Sequence, residues 1–183
     1  MPQKILDKLS VEKQRLDALV ERLPVHEQSI AKYNCNKILF RIEDEYLSRC
    51  IEIPQWLKDG TVASMVVDSL LHNHNKKYEL VCVLVMSNHV HTILKPLMKA
   101  EILPYSISEI MQNHKGYVAH EANKLLNRNG AFWHHENYDH YVRDANEFNR
   151  IVWYILNNPV KAGLTQNFKD WKYYWVNREY IPL

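Results

Sequence analysis

Tyr78-Glu79-Leu80-Val81-Cys82-Val83-Leu84-Val85, followed at once by Met86-Ser87-Asn88-His89-Val90-His91, is the stretch whose reading decides the fold. Its first part is rich in strand-forming residues and apolar on both faces, which predicts a central strand covered by helices. Ser87-Asn88 signals a bend or bulge, after which His89 to Leu94 resumes the sheet. Histidines separated by one residue on a strand point to the same face. Neutral imidazoles are common metal ligands, so His89 and His91 could together hold one divalent ion against an otherwise apolar sheet.

On the N-terminal side of this strand, Val62, Met65, Val66, Ser69 and Leu70 follow the spacing of a helix with one buried face. On its C-terminal side, Ser106 to Leu126 reads as a long helix with Ser106 or Ser108 as cap, and Asn129-Gly130 as a turn. The aromatic, His-rich segment Ala131 to Val142 has no clear period. Asp144 can cap a helix whose core face is Phe148, Ile151, Val152 and Ile155, and Pro159 should end that helix near Asn158. Towards the N-terminus, Ile5, Leu9, Leu16, Leu19, Val20 and Leu23 recur at helical spacing before Pro24. Pro24 to Asn36 reads as a connector and Lys37-Ile38-Leu39-Phe40-Arg41 as a short first strand. The fold class expected is α+β, with an N-terminal helical extension over residues 1–36 and the main domain over 37–183.

The whole chain, 183 residues, is enough for one domain of ordinary size. A formal net charge of +2 permits a local basic face without demanding one. Cys35, Cys50 and Cys82 lack CxxC spacing and argue for reduced thiols in a cytoplasmic protein, not a disulfide framework. No apolar stretch approaches the roughly 20 residues needed to cross a bilayer, and the N-terminus lacks a signal-peptide apolar core. No membrane partner is expected.

The second chemical feature is Tyr154-Ile155-Leu156-Asn157-Asn158-Pro159-Val160. A tyrosine phenol has a pKa near 10, so it attacks only where something assists its deprotonation or polarises the electrophile. A divalent ion beside a phosphodiester does the latter. Tyr154 and Asn158 lie one turn apart on one side of a helix, bordering the face that must pack on the sheet. From there Tyr154 can look towards an ion held by His89 and His91, and the side-chain carbonyl of Asn158 can complete the site.

With these residues in place, the chain resembles a known family. Val85-Met86-Ser87-Asn88-His89-Val90-His91 is similar to the HUH motif of the single-tyrosine insertion-sequence transposases. Tyr154 to Leu164 (YILNNPVKAGL) is similar to the catalytic-helix signature of their REP-associated branch. Lys115-Gly116-Tyr117, Asn123, Gly130, Trp133, Asp139 and Val142-Arg143-Asp144 fall between them in that branch's order, and the likeness runs roughly from Lys37 to Trp175. Ser87 departs from the proline usual before the Asn-His pair.

The resemblance implies a ferredoxin-like antiparallel sheet flanked by helices, with Mg²⁺ or Mn²⁺ held by His89, His91 and Asn158, and Tyr154 as nucleophile. It implies cleavage of single-stranded or hairpin DNA through a 5′-phosphotyrosine, with rejoining by the freed 3′ hydroxyl and no nucleotide cofactor. It also implies a bacterial, nucleoid-associated setting and either a monomer or a homodimer. Lys115, Arg143 and Lys161 are the expected DNA contacts. The alternative is a domesticated protein that binds hairpin nucleic acid and has lost catalysis.

Several residues carry competing readings. Tyr117 is the rival nucleophile, with packing or DNA contact as its other reading; Tyr154 is preferred because the ligand-capable amide of Asn158 lies one turn away. His72-Asn73-His74 repeats the spacing of the histidine pair but falls at a helix end, which points to a solvated terminus. His134-His135 and His140 are surface histidines or approach the active centre. Lys124 and Arg128 are phosphate contacts or a solvated face. The tail Trp171-Lys172-Tyr173-Tyr174-Trp175 suits either base stacking or a packed hydrophobic closure.

Overall fold

The computed structural model describes residues 3–49, 53–134 and 139–181. The chain forms two compact units, residues 1–54 and 55–183. The first is a pair of packed helices, α1 (Gln3–Glu21) and α2 (Val25–Arg49). Leu16 and Val20, one turn apart on α1, are buried. Pro24 stands just ahead of α2, and its carbonyl accepts from Glu27 N–H (2.9 Å), closing the first turn.

Two expectations are corrected here. Residues 25–36 are no connector and 37–41 no strand, since both belong to α2. The three apolar residues Ile38-Leu39-Phe40 are too short a run to separate strand from helix. Their neighbours Lys37, Arg41, Glu43 and Glu45 are charged, and lysine, arginine and glutamate are good helix formers. The compact units divide at residues 54/55.

The second unit is built around β1 (Tyr78–Val85), the centre of a three-stranded antiparallel sheet. It follows α3 (Gly60–His72), whose N-cap Asp59 accepts from the N–H groups of Thr61 and Val62. β1 pairs on one side with β2 (Val90–Pro96) and on the other with β5 (Tyr174–Val176). A small ribbon of β3 (Met98–Ala100) and β4 (Leu103–Pro104) follows β2. Then comes α4 (Ile107–Leu125), capped by the Ser106 hydroxyl on Glu109 N–H. Next are α5 (Ala145–Leu156), capped by Asp144 on Glu147 N–H, and the one-turn α6 (Asn158–Lys161). The α+β class and the helical N-terminal segment are therefore as expected from the sequence.

Each face of β1 has its own core. Leu80, Val83 and Val85 pack with Val62, Val66 and Leu70 of α3 and Ile110 and Val118 of α4. Val81, Cys82, Leu84 and Met86 pack with Val152, Ile155 and Leu156 of α5. Strict alternation fails at Val81, because the pairing with β2 shifts between Leu80 and Cys82. That bulge takes up one odd residue, so the strand keeps Leu80 and its partner Leu94 on the α3 side. Burial pushes the Cys82 thiol up to about 12, and the Tyr78 phenol, which donates to Leu70 O, also to about 12.

Candidate functional site

The site begins with the turn between β1 and β2. Met86 N–H donates to His89 O (2.9 Å), which closes the Met86–His89 connection and fixes where His89 leaves it. His91 pairs with Leu84, so it lies on the α5 side of the sheet. It is buried (9% exposed), whereas His89 is half-buried. The two Nε2 atoms stand 3.1 Å apart. His89 Nδ1 lies 2.6 Å from Asn88 Oδ1, so Nδ1–H donates there and the lone pair is left on Nε2.

Asn158 reaches the same place from the helical side. Its Nδ2 donates to His91 Nε2 (3.3 Å), and the residue is 3% exposed. Local sequence explains its position. α5 stops at Leu156, and Asn157 serves as C-cap of α5 and N-cap of α6. Pro159 sits in the first turn of α6, where its missing N–H costs nothing. Gly163, at φ +70, then turns the chain, a conformation that a Cβ would strain.

Tyr154 stands one turn before Asn158, its ring edge-on to His91 with centroids 6.2 Å apart. Lys161 Nζ lies over the Tyr154 ring, 4.0 Å from its centroid. His89, His91, Asn158, Tyr154 and Lys161 are thus brought together. Lys115 and Arg143 are held elsewhere. Lys115, on α4, donates to His134 O (3.0 Å), and burial lowers its pKa. Arg143 is exposed beyond the N-terminus of α5, and its N–H donates to the buried carboxylate of Glu147.

Two imidazole nitrogens 3.1 Å apart suit a shared divalent ion. Metal–nitrogen bonds of about 2.1 Å place neighbouring ligand nitrogens roughly 3.0–3.4 Å apart. Lone-pair nitrogens at this distance satisfy each other only if one takes a proton, whereas a cation satisfies both. A half-turn of the Asn158 amide would present Oδ1 in place of Nδ2, because the two ends have the same shape. The donor set fits a small divalent cation.

The rivals resolve as follows. Tyr117 is exposed on α4, whose buried face packs on α3. His74 is no solvated terminus: its Nδ1 accepts from Leu80 N–H (2.9 Å) and its ring meets Trp175. The tail packs as closure, with Trp171 Nε1 donating to Val85 O (3.0 Å) and Tyr173 O accepting from Val85 N–H. His140 stands 3.3 Å from Glu147, at the end of α5 remote from Asn158. His135 lies outside the described residues. Sequence reading missed the orienting role of Asn88. Its place directly before the first histidine, at a bend, was the available signal.

No helix among the described residues is long and apolar enough to cross a membrane. No protein-family profile matches the chain, and no solved structure matches it. A curated protein of Haemophilus influenzae does, at 22% identity over 107 residues, 56% of this chain. The chain spans 61% of that relative's length. The relative is named a putative REP-associated tyrosine transposase, and to that protein this chain is distantly similar.

Proposed function

We propose that this protein is a metal-dependent DNA-nicking and strand-joining enzyme of the tyrosine-transposase kind, with its chemistry in the sheet-bearing unit. The observation that carries this reading is the meeting of two imidazole Nε2 atoms, 3.1 Å apart, with the Asn158 amide and the Tyr154 ring. The distant likeness to a transposase supports the same reading.

His89, His91 and Asn158 would hold Mg²⁺ or Mn²⁺. Such an ion, when bound, polarises a phosphoryl oxygen of the strand. Asn88 keeps the His89 lone pair on Nε2. Tyr154 Oη attacks phosphorus; the tyrosyl O–P bond forms as the P–O3′ bond breaks, and the phenolic proton is accounted for on the released 3′ hydroxyl. Lys161, beside the tyrosine, supplies a positive charge for the phosphate. Because one phosphoester replaces another, a 3′ hydroxyl can reverse the reaction and join strands. The partner is single-stranded or hairpin DNA.

The test is covalent trapping of labelled hairpin DNA from sequence flanking the protein's own gene. An adduct that survives denaturation, requires Mg²⁺ or Mn²⁺ and vanishes in Tyr154→Phe is expected. An adduct lost instead in Tyr117→Phe would reassign the nucleophile. Tight binding with no adduct on any flanking hairpin would replace the enzyme with a nucleic-acid-binding protein.

A further inference from the structure

The C-terminal end of α4 carries a second polar concavity, across the sheet from α5. It encloses about 360 Å³ and is lined by His120, Asn123, Lys124, Asn127, Arg128 and Asn129, together with the backbone at Gly130. No carboxylate and no apolar side chain lines it.

Arg128 is held in place from several directions. Its guanidinium lies 3.5 Å from the Trp56 ring centroid and 5.8 Å from that of Phe132. Nη1 donates to Asn123 Oδ1, and Nη2 donates to Ala131 O at 3.0 Å. Asn123 Nδ2 in turn donates to Gly130 O (2.9 Å), tying the loop to the helix. Asn127 and Gly130, at φ +46 and +92, fold that loop back on itself. A guanidinium stacked and bonded in this way loses little freedom on taking a ligand.

The lining chemistry narrows the ligand. With no apolar wall it does not suit a hydrophobic molecule, and with a single imidazole beside two cationic side chains it does not suit a metal ion. The terminal carbonyls of α4 would repel an anion, but those of Ala122, Asn123 and Lys124 already accept from Leu126, Arg128 and Asn127 N–H, respectively. Glu121 pairs with Lys124 (3.0 Å) and approaches His120 (3.5 Å), both contacts at the surface, where such pairs are weak and yield to a better partner. What remains is a phosphate joined to groups that hydrogen-bond with amides. Arginine and lysine take the phosphate, and asparagine side chains take base edges.

We infer that this groove binds a phosphate and an adjacent base of the DNA strand, anchoring it apart from the point of cleavage. The inference rests on the proposed function for the nature of the partner, and it adds a second contact that α5 does not provide. One strand held at two places on opposite sides of the sheet would be fixed in register before it is cut.

The experiment uses the full chain without divalent metal, so cleavage plays no part. Fluorescence anisotropy with a labelled hairpin oligonucleotide bearing unpaired tails is read across a salt series. Lys124→Glu should weaken binding about 10-fold and reduce the salt slope by about 1, the signature of a lost phosphate contact. Lys99→Glu, on the β3–β4 ribbon, should change affinity less than about 2-fold, which controls for net charge. Equal effects from the two variants, or none from Lys124→Glu, overturn the inference. In amide NMR, the side-chain signals of Asn123, Asn127 and Asn129 should move with the oligonucleotide and stay still with inorganic phosphate at matched ionic strength. Movement with phosphate alone marks a free-anion site and also overturns it. Loss of affinity in Lys124→Glu from a protein that never forms an adduct would sink the nicking reading and keep this one; a normal adduct with unchanged affinity would do the reverse.

Discussion

Two histidines are buried against opposite sides of the β1 layer, His114 on the α3–α4 side and His91 on the α5 side, and their surroundings differ in kind. His114 is 6% exposed, bonded through Nδ1 to the Ser69 hydroxyl at 2.9 Å, with the Trp133 ring 6.4 Å away. Burial, aided by the charge of Lys115, pushes its pKa down to about 4, so it is a neutral packing residue. His91 instead faces a second imidazole nitrogen and an amide. Burial of an imidazole marks no site by itself. What marks one is several lone-pair donors meeting at a spacing that a cation bridges.

The contrast can be broken most directly at His91. His91→Ala should reduce Mn²⁺ binding, measured calorimetrically, below detection, while the double variant Ser69→Ala/His114→Leu should bind the ion normally. Comparable ion binding in His91→Ala would remove the basis for the metal centre. Asn88→Ala, which takes away only the group orienting His89, should weaken ion binding by about 10–100-fold. An unchanged affinity would show that the turn alone places His89.

His114 offers the next largest effect, on stability. Its folded pKa, about 4, lies below the ordinary histidine value of 6.5, so between those values the unfolded chain binds more protons than the folded one. The His114 contribution is therefore complete above about pH 6.5 and is lost as pH falls towards 4. Urea unfolding should show this histidine costing roughly 2 kcal/mol between about pH 7.5 and pH 5. Ser69→Ala/His114→Leu should remove that part of the pH slope, since replacing both partners by apolar groups is nearly neutral. A slope unchanged in the double variant would place its source elsewhere. The smallest effect is expected of Asp144→Ala. Losing the α5 cap should cost about 1 kcal/mol by urea titration and leave adduct yield intact at temperatures where the protein is folded.

Much of this was legible in the sequence because local rules and tertiary packing agree there. The bounds of β1, the Ser106 and Asp144 caps and the stop near Pro159 all follow from residue types whose preferences the fold respects. The closeness of Tyr154 and Asn158 follows from helical spacing, and that of His89 and His91 from strand spacing. Residues 24–41 were misread because a short apolar run and a proline fit a helix start as well as a connector and strand. Other features depend on contacts between segments distant in sequence. The His74 bond to Leu80, the Ser69–His114 pair and the packing of Trp171 against the end of β1 are of this kind.

β5 pairs with β1 through only three residues, yet it covers a strand in which nearly every side chain is buried. Without that cover, one side of β1 would present unpaired backbone groups along a run of valine, leucine and cysteine, a template for foreign strands. Lesions at Tyr174, Trp175 or Val176 should accordingly appear first as insoluble protein.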